Sequence, residues 1–167
     1  AENSLEGDIL AITLDGTGLG TDGTIWGGEI LLVNEKGFKR RAHLKYLPMP
    51  GGDAAVNEPW RMAISALYAA FGNDLINLEI PFIKNNIVTS SKINFIIEML
   101  KKGINTPLTS SCGRLFDLTA SLLGICHKTT FEGQAAMNLE AISFNPAIDL
   151  YSVQLNQSLF YNFNLND

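Results

Sequence analysis

An aspartate followed by a run of glycines is the feature of the sequence most suggestive of chemistry. Residues 14–29 read LDGTGLGTDGTIWGGE and follow a short apolar run at 9–14. Because such a run is typical of a strand buried on both faces, Asp15 is expected at the end of a buried strand. A carboxylate there could hold a hard cation, and backbone N–H groups of a glycine turn could hold phosphate oxygens. The pattern therefore favours a site for a phosphorylated ligand and a divalent metal.

The glycines alone do not establish such a site. No helix is indicated directly after them, as a dinucleotide-binding motif requires, and the GK[ST] of a Walker loop is absent. For the glycines taken alone, a hairpin that merely needs many glycines is the favoured explanation. In either case Gly16, Gly18 and Gly20 are expected to form a tight turn, because glycine adopts backbone angles that other residues avoid.

Composition excludes several classes of function. The chain has 167 residues, a formal charge of −5 and 46% hydrophobic residues, which predicts one domain with a real core and no general nucleic-acid binding. No apolar stretch approaches the ~20 residues of a membrane span, and no signal segment opens the chain. Cys112 and Cys126 are too few for a disulfide framework, so reduced thiols and a cytoplasmic location are expected. The basic cluster at 36–45 is interpreted as a solvated strand face.

The elements that must position Asp15 are three strands and about four helices. Strands at 9–14, 24–33 and 38–47 predict a β-meander over residues 8–47. The helical part, 57–141, begins with a helix at 58–71 for which Asn57 is the expected cap, and its apolar stripe is Trp60, Ile64, Leu67 and Phe71. Residues 142–167 form an asparagine-rich and aromatic tail. The prediction is a single α/β (α+β) domain.

Three further helices follow the first. One opens at Ser90 or Ser91 and ends at Lys102 before Gly103. A second is capped by Ser110 or Ser111 and ends near Gly124. The last is capped by Thr129 or Thr130, and Glu132 would complete a capping box with Thr129.

Two features of these helices allow more than one interpretation. Arg114 and Asp117 are three residues apart and share a helix face, so they form either a weak surface ion pair or a first-turn pair that faces a ligand. Gly133, near the start of the last helix, has no propensity reason to be there. The close approach of a ligand or of another backbone would explain it.

Four segments taken together are more specific than any one of them. They read LDGTGLGTDGTIWGGE (14–29), LPMPGGDAAVNEPWR (47–61), SSCGRLFDLTASLLG (110–124) and FEGQAAMNLEA (131–141). In this order, from about Asp8 to Ala141, the sequence closely resembles the C-terminal part of HypF-type carbamoyltransferases, the hydrogenase maturation proteins. The resemblance implies part of a ribonuclease H-like, actin-like ATPase domain.

The resemblance also implies a site. Asp15 matches the family's metal-binding aspartate, and Gly16, Thr17, Gly18 and Gly20 match its phosphate-side turn. Asp117 and Gly133 match positions near the ribose in related domains. Glu140 is an acid of the matching helix and is included among the implied ligand-binding residues. The implied cofactors are ATP or a carbamoyl adenylate and a divalent metal, Mg or Fe, with zinc expected only in the family's N-terminal part.

The implied reaction moves a carbamoyl group, derived from carbamoyl phosphate and ATP, to the C-terminal cysteine thiol of a HypE-type acceptor. The family's histidine pair would precede this chain and a last metal-binding aspartate would follow it. The chain is therefore expected to be an excerpt of the catalytic domain that is inactive alone. The alternative is a non-catalytic module of the same fold that binds a nucleotide or a protein partner. A sugar or acetate kinase relative is disfavoured, because it should carry a different phosphate-binding sequence.

Overall fold

A computed structural model describes residues 7–143 and the backbone of a short strand at 160–161. Three long antiparallel strands, β1 (Ile9–Leu19), β2 (Ile25–Asn34) and β3 (Gly37–Leu44), form the predicted meander. Ile25 of β2 pairs on one edge with Leu19 of β1 and on the other with Thr109 of β5 (Leu108–Thr109), in parallel. Strand β4 (Leu47–Pro48) pairs with β5, and β6 (Phe160–Tyr161) pairs with β3. The mixed α/β fold expected from the sequence is thus confirmed.

The first strand differs from its prediction in burial. Its side chains alternate between half-buried and exposed positions, and Leu10, Ile12 and Leu14 are each more than 60% exposed. A strand buried on both faces was therefore the wrong interpretation for the described residues. The reason is geometric: successive side chains of a strand point to opposite faces of the sheet, and Leu10, Ile12 and Leu14 share the face that the described residues leave largely uncovered.

The helices follow the predicted order. They are α1 (Asp53–Asn57), α2 (Trp60–Phe71), α3 (Pro81–Lys84), α4 (Ser90–Lys102), α5 (Cys112–Leu122) and α6 (Gln134–Ile142), with a 3-10 helix at Gly72–Asn77. Ser111 caps α5, as the sequence predicts, and left-handed Gly103 ends α4. The cap of α4 is Thr89, whose side chain accepts a hydrogen bond from Lys92 N.

Two predicted caps are wrong. Asn57 ends the short helix α1 and donates to Asp53 O, so it does not cap α2. Thr129 does not cap α6, because its N–H donates to Asn57 O and its hydroxyl donates to Val56 O. These bonds tie Thr129 to α1, and α6 begins after Gly133 instead. The Asn57 side chain is thus used by its own helix, whereas contacts with a distant segment have taken the groups that Thr129 would need for capping.

The main core lies between α2 and α4. Trp60, Ile64 and Leu67 are buried in it as predicted, with Ile93, Ile96 and Ile97 of α4 facing them. Phe71, at the end of α2, is 50% exposed and lies outside the stripe proposed for it. The longest helix within residues 7–143 has 13 residues, and none of the helices described there is long and apolar enough to cross a membrane.

Candidate functional site

A bulge in β1 presents the first predicted site residues. Leu14 pairs with Gly28 and Gly18 pairs with Trp26, so three residues of β1 (15–17) face one residue of β2, Gly27. The two extra residues push Asp15, Gly16 and Thr17 out of the ladder, as bulges near binding sites commonly do. The tight turn predicted at this place lies further on, at residues 21–24. Neither Gly16, Gly18 nor Gly20 takes a positive φ angle.

Close backbone contacts bring helix α5 against this bulge. A Cβ atom on Gly113 would lie 2.7 Å from Gly16 Cα, and a Cβ atom on Gly27 would lie 2.4 Å from Asp15 O and 3.1 Å from Ser111 Cα. The bulge is therefore held between β2 on one side and the first turn of α5 on the other. Glycine is required at 113 and 27 because any side chain would push these backbones apart.

The bulge, α5 and the start of α6 enclose a cleft of about 640 Å³. Five of the predicted site residues line it: Asp15, Gly16, Thr17, Asp117 and Gly133. They come from three segments far apart in the sequence. Cys112 also lines the cleft, and burial raises the pKa of its thiol, which disfavours the thiolate that a nucleophile needs. Both cysteines are free thiols.

The other predicted site residues lie elsewhere. Gly18 pairs with Trp26 in the ladder, and the N–H of Gly20 donates to Thr24 O within the hairpin turn. A Cβ atom on Gly20 would clash with Trp26 Nε1 at 2.3 Å, so close packing accounts for this glycine. Glu140 lines a neighbouring groove between α5 and α6. In this geometry these three residues do not face the cleft.

The carboxylate of Asp15 suits a hard cation but supplies only part of a metal site. Asp15 is exposed, and its Oδ1 accepts a hydrogen bond from Gly16 N at 2.6 Å. No lysine or arginine among residues 7–143 forms an ion pair with it. Within the same residues no three His, Cys, Asp or Glu side chains cluster closely enough to hold a metal ion. Asp15 therefore fits the role of one oxygen ligand.

Arg114 and Asp117 form a buried pair in the wall of the cleft. Arg114 Nε lies 2.6 Å from Asp117 Oδ2, and both side chains are only 9% exposed. The alternative of a weak surface pair is thus wrong. Neither atom has a partner in good hydrogen-bond geometry among the described residues. Burial raises the pKa of Asp117, and the charge of Arg114 opposes but does not cancel this shift.

Gly133 has a conformational reason to be glycine. It precedes α6 with φ 76°, a left-handed conformation that other residues rarely adopt, and no protein atom within the described residues approaches its missing Cβ. Thr130 donates from its N–H to the side-chain oxygen of Gln134 and so closes this turn. The left-handed turn explains the glycine without any close backbone contact.

Sequence reasoning missed a buried polar network behind the bulge. Glu29 is 2% exposed; its Oε2 accepts hydrogen bonds from the N–H groups of Gly27 and Gly28, each at 2.7 Å. Its Oε1 accepts from Ser110 and from Arg40. Arg40 is therefore not part of a solvated face: its side chain is 14% exposed, and its guanidinium stacks 4.0 Å from the Trp26 ring.

Asp22 continues this network to the tip of the hairpin. It accepts hydrogen bonds from Tyr46, Thr24 and Trp26 and pairs with Arg40 Nη1 at 3.0 Å. Partial burial acts to raise the pKa of Asp22, but the hydrogen bonds from Tyr46, Thr24 and Trp26 outweigh it and hold the pKa well below its ordinary value. The sequence offers no pattern for this network, because Asp22, Glu29 and Arg40 are unevenly spaced and lie in the hairpin turn, in β2 and in β3, respectively.

Comparison with known proteins identifies this fold as part of a Kae1-like domain. Residues 11–166 match the family model "Carbamoyltransferase, Kae1-like Domain, second subdomain". The chain belongs to the HypF carbamoyltransferase family. It is 47% identical over 138 residues to carbamoyltransferase HypF of Rhodobacter capsulatus, covering 82% of this chain and 18% of that protein.

Solved HypF structures share the fold. A full-length HypF in its phosphate- and nucleotide-bound form aligns with a TM-score of 0.74 at 40% identity, covering 85% of this chain and 18% of that one. The structure of T. kodakarensis HypF aligns with a TM-score of 0.74 at 36% identity, covering 90% and 20%. The chain thus spans about a fifth of the length of these relatives.

Proposed function

We propose that the protein containing this chain is a carbamoyltransferase that transfers the carbamoyl group of a carbamoyl adenylate to the C-terminal cysteine thiol of a HypE-type acceptor protein. The adenylate would form from carbamoyl phosphate and ATP, in hydrogenase maturation in the cytoplasm. In the transfer, the thiol sulfur bonds to the carbamoyl carbon, the carbon–oxygen bond to AMP breaks, and the thiol proton is released. Family membership supports this proposal.

The observation that carries the proposal is the convergence of Asp15, Gly16, Thr17, Asp117 and Gly133 on one cleft. The phosphates would lie at the bulge, where the 15–17 backbone has left the ladder, and the ribose would lie between α5 and Gly133. A divalent metal, Mg or Fe, would supply charge stabilisation at phosphate oxygens when bound, with Asp15 as one ligand. Arg114 lines the same cleft, where its guanidinium would supply a cation next to an anionic ligand.

The test uses the encoded full-length protein, carbamoyl phosphate, ATP and a HypE-type acceptor, with the mass of the acceptor's C-terminal peptide as readout. We expect carbamoylation by the unaltered protein and loss of it in Asp15→Asn. Asp53→Asn is the matched control, because Asp53 is an exposed aspartate of α1 that does not line the cleft. Equal activity of Asp15→Asn and the control would refute the role of Asp15. Nucleotide binding without any carbamoylation would favour a binding module instead.

A further inference from the structure

The hydroxyl of Ser111 links the helix α5 to the bulge. Ser111 is 4% exposed. Its Oγ accepts a hydrogen bond from Arg114 N at 3.3 Å, which is the cap of α5. The same Oγ lies 2.7 Å from Gly16 O and 3.0 Å from Asp15 O, where its single proton is donated. One side chain therefore forms hydrogen bonds with both the helix terminus and the backbone of the bulge.

The neighbouring serine fixes this link to the sheet. Ser110 N donates to Ile25 O at 2.9 Å, and its hydroxyl donates to the buried carboxylate of Glu29. Arg40 donates to the same hydroxyl at 3.1 Å. Ser110 therefore anchors the start of α5 to β2 and β3, and Ser111 extends from that anchor to the bulge.

The hydrogen bonds between Ser111 and the bulge have a specific geometric consequence. A bulge of extra residues is unpaired in the ladder, so its carbonyl groups need other partners or water. The Ser111 hydroxyl lies within hydrogen-bond distance of the carbonyl oxygens of both Asp15 and Gly16 and donates its proton there. This bond restricts the backbone around Asp15 and therefore the direction in which the Asp15 side chain projects. Through Arg114 N the same hydroxyl fixes the first turn of α5. Arg114 lies in that turn, and Asp117 follows in the next turn.

We propose that Ser111 is a positioning residue that holds Asp15 in register with Arg114 and Asp117, so that one cleft presents the metal-side and ribose-side groups together. The use of this geometry for metal binding rests on the function proposed above. The ordering of the bulge by Ser111 does not rest on it. Removal of a group that orients a metal ligand typically weakens metal affinity about 10- to 100-fold.

The experiment compares the loss of two helix caps in the full-length protein. Ser111→Ala and Thr89→Ala each remove one capping hydroxyl, because Thr89 accepts from Lys92 N in α4 as Ser111 accepts from Arg114 N in α5. Only Ser111 also contacts the bulge. Two readouts are taken: amide hydrogen exchange at residues 14–18 and the Kd for Mn²⁺. Both substitutions are expected to lower Tm, since each removes a cap.

In Ser111→Ala we expect faster amide exchange at residues 14–18 and Mn²⁺ binding weakened about 10-fold or more. Thr89→Ala should show neither change. Ser111→Thr should restore both the exchange rate and the Mn²⁺ affinity. Ser111→Gly provides a second variant if alanine is not tolerated, because glycine is a fair cap yet has no hydroxyl. Equal exchange and equal Mn²⁺ affinity in the Ser111 and Thr89 variants would overturn the proposal. Carbamoyl transfer is assayed separately: its absence in the unaltered protein refutes the proposed function, while amide exchange still decides the role of Ser111.

Discussion

Arg40 Nη2 lies 3.0 Å from Glu29 Oε1, and this ion pair joins the neighbouring strands β3 and β2 behind the bulge. The two side chains are 14% and 2% exposed. A buried carboxylate that loses its cation is costly, because water cannot replace the lost charge. The hydrogen bonds from Gly27 and Gly28 remain and do not neutralise it.

The first prediction follows from this pair. Arg40→Met is expected to lower the free energy of unfolding by about 3–5 kcal/mol, measured by urea denaturation at neutral pH. Lys84→Met is the control, since its pair with Glu79 is exposed and exposed pairs contribute only about 0–1 kcal/mol. If Arg40→Met unfolded at the same urea concentration as Lys84→Met, Glu29 would not need Arg40 for its burial.

How much of this could be predicted from the sequence depends on the range of the interaction. The α5 cap at Ser111 and the stop of α4 at Gly103 are local signals, and both were predicted. The bonds from Ser110 to Glu29 and from Thr129 to Val56 join residues 81 and 73 apart in sequence. No local pattern specifies such pairs, so the buried role of Arg40 was missed and Thr129 was misassigned as a cap.

The candidate site was predicted in part for the same reason. The segments that hold Asp15, Asp117 and Gly133 were identified through a family resemblance, which carries long-range information that periodicity lacks. The bulge was not foreseen, because glycines suit a turn and a bulge equally well. The strand register distinguishes a bulge from a turn, because Leu14 pairs with Gly28 and Gly18 pairs with Trp26.

A second prediction concerns the contact between the bulge and α5. Gly113→Ala should destabilise the protein by about 1–3 kcal/mol, because the new methyl group would lie 2.7 Å from Gly16 Cα. Gly16→Ala is the matched change on the opposite side of this contact. It should cost less than about 1 kcal/mol, because no atom of the described residues lies within 4 Å of its Cβ position and its φ angle is not positive. Thermal unfolding of both variants tests this asymmetry, and equal losses would contradict it.

A third prediction concerns acid stability. The pKa of Asp22 is lowered in the folded protein, so the unfolded chain binds more protons as the pH falls below the ordinary value of 3.8. Asp22 therefore stabilises the fold above that pH and loses its contribution below it. In Asp22→Asn this part of the decline in the free energy of unfolding should be missing.

The control for Asp22 is Glu35→Gln, in the exposed turn between β2 and β3, where the carboxylate accepts no hydrogen bond from the described residues. It removes one negative charge without touching the network. Urea unfolding between about pH 2 and pH 5 compares the three proteins. An unchanged acid decline in Asp22→Asn would show that its hydrogen bonds do not favour the ionised form.

A fourth prediction has the opposite sign and concerns the cleft itself. Burial raises the pKa of Asp117, so the folded protein binds more protons than the unfolded chain just above pH 3.8. Ionisation of Asp117 therefore costs stability as the pH rises through this range. Asp117→Asn removes that cost. The free energy of unfolding of this variant minus that of the unaltered protein should therefore increase from about pH 3.5 to neutral pH.

The control is Glu132→Gln, because Glu132 is an exposed carboxylate that lines the same cleft. It should show no comparable trend. A difference for Asp117→Asn that is flat or decreases with pH would mean that the charge of Arg114 outweighs the burial of Asp117.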